Sequence, residues 1–84
     1  MSDSTITNLN MILVTKFGVP AIGLQPDATF EALGLDDSLA LVELSVAIER
    51  EFAVRLEVGQ LFAAQTVAEA VALIDATVAE LARQ

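Results

Sequence analysis

The sequence predicts an all-α fold, a small four-helix bundle with a long first loop and a short third helix. Along three segments, apolar residues recur at steps of three and four, the spacing of a helix that is buried on one face. Glycines and prolines fall between these segments, and no stretch of useful length alternates apolar and polar residues as a strand would. The 84 residues suffice for one hydrophobic core, so we expect a single domain over residues 1–84.

The first helix is predicted over residues 4–17, with Ser4 or Thr5 as its N-cap and Gly18 at its C-terminus. Its main apolar stripe comprises Ile6, Leu9, Leu13 and Phe17. Three further apolar side chains lie off that stripe, namely Met11, Ile12 and Val14. Either the following loop covers them or they form an exposed apolar patch, and we expect the loop.

That loop, residues 18–29, contains two glycines and two prolines, which exclude a regular helix through it. Its length is near the upper limit for a connection without structure of its own, so it should pack across the bundle. The expected anchors are Val19, Ile22 and Leu24.

The second helix is predicted over residues 37–53, with Asp36 or Asp37 as its N-cap. At about 100° per residue, its core positions are Leu41, Leu44, Ile48 and Phe52. The opposite face mixes three aliphatic side chains with two acids, namely Leu39, Val42, Glu43, Val46 and Glu49. A plainly solvated helix face would not carry so many aliphatics, although scattered ones are common on surfaces.

The third helix is predicted over residues 57–64, with Leu61 and Phe62 pointing inward. Thr66 and Glu69 have the spacing of a capping box and introduce a last helix over residues 67–82. The apolar stripe of this last helix comprises Val67, Val71, Ile74, Val78 and Leu81.

The composition excludes several classes of function. The chain has no cysteine and no histidine, which removes a histidine base, a cysteine nucleophile and most zinc sites, so an enzyme is not expected. Twelve acidic residues stand against four basic ones, which argues against nucleic-acid binding and suits docking onto basic patches of other proteins. The acid pairs Asp36–Asp37 and Glu49–Glu51 lack the spacing of a metal loop, so no metal site is expected.

The expected location is the cytoplasm, because the start of the chain has no basic region of the kind that a secretory signal needs. No apolar run approaches the ~20 residues that span a bilayer, so no membrane span is expected. We also expect a monomer.

Ser38 is the candidate for covalent chemistry. It falls in the first turn of the second helix, where an exposed hydroxyl, backbone N–H groups and the helix dipole favour a phosphate ester. The alternative is that Ser38 merely caps the helix, and an isolated Asp-Ser-Leu tripeptide would not decide between the two.

The surrounding sequence resembles the acyl carrier protein family. The likeness lies over residues 30–56, FEALGLDDSLALVELSVAIEREFAVRL, in the order Leu-Gly, Asp-Ser-Leu, Val-Glu-Leu, Ile-Glu and Val-x-Leu. The resemblance implies a bundle of acyl-carrier type. It also implies that a phosphopantetheinyl transferase attaches 4′-phosphopantetheine from coenzyme A to Ser38, with Asp37 as the flanking motif residue. Acyl groups would then be carried as thioesters on the arm.

The resemblance also suggests partners and a pathway. The mixed face of the second helix, namely Leu39, Val42, Glu43, Val46 and Glu49, matches the positions where relatives present an apolar spot ringed by acids to basic enzymes. These enzymes would include acyl-loading enzymes, ketosynthases and other acyl-processing enzymes. The run Ser-Leu-Ala-Leu-Val-Glu-Leu from Ser38 looks most like discrete polyketide-synthase carriers. The alternatives are a carrier of primary fatty-acid synthesis and an unmodified helical interaction module.

The sequence departs from the family pattern in two places. Relatives usually have one residue between the glycine and the aspartate that precedes the serine, whereas Leu35 and Asp36 both intervene here. The extra residue could shift the loop without moving Ser38, or could weaken recognition by the transferase. The third helix has only Glu57 where many relatives are rich in acids, so its contacts with partners should be more apolar.

Overall fold

Four α-helices make up the fold in the computed structural model, which describes residues 2–83. They are α1 (Ser2–Phe17), α2 (Ser38–Phe52), α3 (Val58–Ala63) and α4 (Val67–Ala82), with one 3₁₀ turn at Ala21–Gly23 in the first loop. Within residues 2–83 there is no strand, and extended segments meet only at an isolated antiparallel bridge between Thr29 and Thr66. The predicted all-α bundle, with its long first loop and short third helix, is confirmed. None of the helices in this range is long and apolar enough to cross a membrane.

Helix α1 begins earlier than predicted and ends where predicted. It starts at Ser2, so the expected N-cap at Ser4 or Thr5 is wrong. The Thr5 hydroxyl instead donates a hydrogen bond to Asp75 Oδ1, which ties α1 to α4. The helix stops at Phe17 because Gly18 adopts a φ of 69°, a left-handed conformation that glycine reaches without strain.

The buried face of α1 differs from the predicted stripe. It is centred on Leu9, Ile12 and Leu13, whereas Ile6 and Phe17 are only half-buried. Ile12 thus belongs to the core, since it lies three residues after Leu9 on the same side of the helix.

The first loop covers less of α1 than we expected. Val19 is buried and Leu24 is half-buried, but Ile22 is 89% exposed, so the prediction of Ile22 as an anchor is wrong. Ile22 is the middle residue of the tight 3₁₀ turn, which carries its side chain away from the bundle. The loop passes beside Met11 and Val14, leaving both exposed at a groove and contradicting the expected cover.

Helix α2 buries the face that its spacing predicts. Leu41, Leu44 and Ile48 are buried, and Phe52 is half-buried against them. The helix ends at Phe52, and its C-cap Ala53 takes a left-handed conformation with a φ of 56° and donates its N–H to the Glu49 carbonyl. The observed bounds therefore lie one residue inside the predicted ones at each end.

Helix α3 has only six residues and packs against the core through Leu61. Leu61 is fully buried, but Phe62 is 45% exposed, so the prediction that both point inward is wrong. Neighbouring residues of a helix lie about 100° apart, so with Leu61 directed into the core Phe62 lies to the side of it, at the edge of the core.

Helix α4 is capped by Thr66, whose hydroxyl accepts the Glu69 N–H at 3.1 Å. The expected return contact of the capping box is displaced by one residue, because Glu69 Oε1 accepts the Gln65 N–H at 2.7 Å. The apolar stripe of α4 is buried only in its first half, at Val67, Val71 and Ile74. Val78 and Leu81 are exposed because the helix continues past the edge of the core.

The end of the first loop and the residue that follows it, Phe30, are fixed to the start of α4 by backbone hydrogen bonds. The N–H groups of Val67 and Ala68 donate to the carbonyls of Ala28 and Pro26, at 3.0 and 2.9 Å. In the other direction, Phe30 N–H donates to the Gln65 carbonyl at 3.0 Å. These bonds give acceptors to N–H groups that the first turn of a helix cannot satisfy itself.

We predict that the two ends of the α4 stripe differ in their contribution to stability. Val71 is 6% exposed and Val78 is 39% exposed. Val71→Ala should lower the free energy of unfolding by about 1.5–3 kcal/mol, and Val78→Ala by ~1 kcal/mol or less. The two variants make the same chemical change on one helix, so helix propensity affects both alike. Equal losses in urea unfolding would contradict the assigned burial.

Candidate functional site

The start of α2 presents Ser38 as the first residue of the helix, with its side chain exposed. The residue before it, Asp37, is the N-cap, and its Oδ1 accepts the Ala40 N–H at 2.7 Å. Asp37 has the extended backbone typical of this position, with φ −82° and ψ 157°. Because Asp37 makes the capping hydrogen bond, the Ser38 hydroxyl is not needed for it.

The electrostatics of this helix start favour an anion on Ser38. The first N–H groups of a helix have no acceptor within it, and the aligned peptide dipoles place partial positive charge there. The Asp37 carboxylate uses one of these groups, that of Ala40. Leu39, next to Ser38, is 68% exposed. The hydroxyl therefore fits a bulky phosphate ester that extends away from the protein.

The extra residue before Ser38 is accommodated by one side chain turning inward and the next turning outward. Gly34 takes a φ of 76°, and Leu35 then enters the core and donates its N–H to the Phe30 carbonyl at 2.8 Å. Asp36 is exposed, and Asp37 follows as the cap. The longer connection thus leaves Ser38 at the first position of its helix.

The exposed face of α2 brings together four of the five residues predicted to bind partners. Leu39, Val42, Glu43 and Val46 are all exposed and are spaced at three and four residues along one side. We call these four residues the α2 surface. Glu49 is half-buried, and its Oε2 accepts the Leu56 N–H at 2.8 Å, so it also holds the connection to α3.

A groove that the sequence did not predict lies beside the α2 start, between the preceding segment and α3. Phe62 and Leu41 contribute apolar surface to it, and Glu31 and Asp36 contribute acids. The remaining lining residues are Thr29, Phe30, Ala64 and Gln65. The groove was not predictable from the sequence because its walls come from distant parts of the chain. The exposure of Phe62 could have been inferred only by recognising that Leu61 already occupies the buried side of α3.

Comparisons with known proteins agree with this geometry. The family described as "Phosphopantetheine attachment site" matches residues 9–74. Among solved structures, the chain is similar to the crystal structure of an acyl carrier protein from Thermotoga maritima. The two are 24% identical, the match covers 95% of this chain and 93% of that one, and the TM-score is 0.82. No curated protein sequence matches the chain.

We predict that Asp37 stabilises the first turn of α2. Asp37→Ala should lower the free energy of unfolding by about 1 kcal/mol and speed hydrogen exchange at the Ala40 N–H. Asp36→Ala is the matched control, since it removes a neighbouring exposed carboxylate that does not cap the helix. The assignment of the cap would be wrong if both variants changed stability and exchange at Ala40 equally.

Proposed function

The chain belongs to the phosphopantetheine attachment site family, and on that premise we propose that Ser38 carries the 4′-phosphopantetheine arm. The family match confirms the predicted cofactor, and the structural match confirms the predicted bundle of acyl-carrier type. The chain is therefore a carrier that serves enzymes and is not itself catalytic.

The position of Ser38 is the observation that carries the assignment. Its hydroxyl is exposed at the first residue of α2, beside an aspartate that caps the helix. The other serine within the matched residues, Ser45, is buried and donates its hydroxyl to the Val42 carbonyl at 2.8 Å. Ser4 is exposed but lies outside the matched residues 9–74. Ser38 thus combines accessibility with a helix start that favours a phosphate ester.

Within this proposal the protein's own residues hold and present the attachment point. Asp37 fixes the first turn, and the N-terminal end of α2 stabilises negative charge on an ester at Ser38. When bound, the arm supplies a terminal thiol that holds acyl groups as thioesters. Since the chain has no cysteine, this would be the only thiol in the protein.

We propose the α2 surface, together with Glu49, as the docking site for enzymes that act on the carrier. Leu39, Val42 and Val46 supply apolar contact, and Glu43 and Glu49 supply negative charge for basic groups of the partner. The formal net charge of −8 would speed the approach of such partners. The partners are a phosphopantetheinyl transferase and acyl-loading, ketosynthase or other acyl-processing enzymes. Binding should be brief, because a carrier leaves each enzyme after each step.

For the pathway, we propose polyketide or related specialised biosynthesis rather than primary fatty-acid synthesis. The support is the sequence at the attachment point, where Ala40 follows Ser38-Leu39 in place of the acid common in fatty-acid carriers. Genes for polyketide ketosynthases beside the coding region would support this choice, and genes of fatty-acid synthesis would contradict it.

The attachment site can be tested by incubating the protein with coenzyme A and a promiscuous phosphopantetheinyl transferase and weighing it intact. We expect the wild type to gain the mass of one phosphopantetheinyl group. Ser38→Ala should gain none, whereas Ser4→Ala should gain the same mass as the wild type. No gain by the wild type, under conditions that modify a control carrier, would favour the unmodified interaction module instead.

The docking surface can be tested with two charge reversals that change the net charge equally. Glu43 lies on the α2 surface, and Glu80 is exposed on α4. Glu43→Lys should slow modification of Ser38 by roughly tenfold at low ionic strength, because it opposes the basic groups of the transferase. Glu80→Lys should have a much smaller effect. Similar rates for the two variants would contradict docking through α2.

A further inference from the structure

The α2 surface borders a second groove, formed where the end of α1 lies against α2. Its apolar floor includes Phe17 and Ala47, and its wall includes Glu43 and Val46 of the α2 surface. Lys16, Arg50 and Glu51 complete the lining. Since Glu43, Val46 and Arg50 follow one another at steps of three and four residues, they lie along one side of α2.

Half of the basic residues of this acidic protein line this one groove. The chain has four, and Lys16 and Arg50 are both here, while Arg55 and Arg83 lie elsewhere. Both groove cations are exposed, and among the residues that the structure describes neither forms an ion pair with an acid. Their positive charges therefore face any protein that binds beside Glu43.

We infer that Lys16 and Arg50 determine which enzymes the carrier accepts, a role that rests on the proposed docking through α2. A partner with a broad basic patch meets Glu43 favourably but places further positive charge against Lys16 and Arg50, and like charges across an interface weaken binding. The surface therefore fits an enzyme whose basic patch faces Glu43 but does not extend past the position opposite Val46. Such an enzyme presents an acidic or neutral side chain to the groove.

The inference can be tested by measuring kcat/KM for modification of Ser38 by a transferase that docks through basic side chains. The variant is Lys16→Gln with Arg50→Gln, and the matched control is Arg55→Gln with Arg83→Gln. Both double variants remove two positive charges, so they change the net charge equally and lose it at different places on the surface. All four side chains are exposed, and circular dichroism checks that both variants keep the helical fold.

We expect the groove variant to be modified roughly threefold faster than the control, or more, at an ionic strength of about 0.1 M, where charges interact over ~10 Å. The difference should shrink towards zero at about 1 M, where screening acts within ~3 Å. Equal rates for the two variants, or a slower groove variant, would overturn the inference while leaving the carrier function intact. Absence of modification in the wild type would instead overturn the attachment site, and with it this inference.

Discussion

The backbone hydrogen bonds between the segment before α2 and the start of α4 are the constraint on which the functional end of the protein depends. They join Pro26 and Ala28 to the first turn of α4, and Phe30 to Gln65. Buried N–H groups at a helix start cost folding free energy when they have no acceptor. The long loop is therefore held in the one path that brings its carbonyls to the first N–H groups of α4. From Phe30 the same path continues through Leu35 into the core and delivers Asp37 and Ser38 to solvent. The proposed attachment point is thus placed by contacts made far from it in sequence.

Apolar side chains form both the buried core and much of the exposed α2 surface, and the core is complete without those of the α2 surface. The fully buried side chains come from all four helices and include Leu9, Leu44, Leu61 and Ile74. Most of the acids that the structure describes are exposed, where they offset the effect of the exposed aliphatic side chains of the α2 surface on solubility. The bundle therefore leaves the α2 surface exposed, as the proposed docking requires, and still closes its interior.

The sequence was most informative where a local rule decides the structure. The start of α2 could be predicted because an aspartate before an apolar-periodic run is a strong helix cap, and the end of α1 because glycine tolerates a left-handed conformation. The proposed role of Ser38 rests on the longer pattern over residues 30–56, since a helix start alone is compatible with simple capping.

The predictions that were wrong concern side chains whose burial depends on residues far away in the sequence. Periodicity identifies an apolar face but does not say how far the core extends along it, so the exposure of Val78 and Leu81 was missed. Periodicity also does not indicate which of two adjacent apolar residues in a short helix is buried, as with Leu61 and Phe62. The hydrogen bond from Leu56 to Glu49 and the groove that pairs Lys16 with Arg50 arise only once separate segments are packed together.

Because Glu49 accepts a hydrogen bond from the Leu56 N–H, the fold should tolerate substitutions less well at Glu49 than at Glu43. Glu43 faces solvent, so a change there alters only what a partner meets. Glu49 also accepts a backbone N–H from the segment that leads to α3, so most replacements would leave that donor without an acceptor. Divergence towards new enzymes should therefore pass through Glu43 more readily than through Glu49. Measurements on Glu49 variants would combine the loss of a proposed docking charge with a disturbance of the fold.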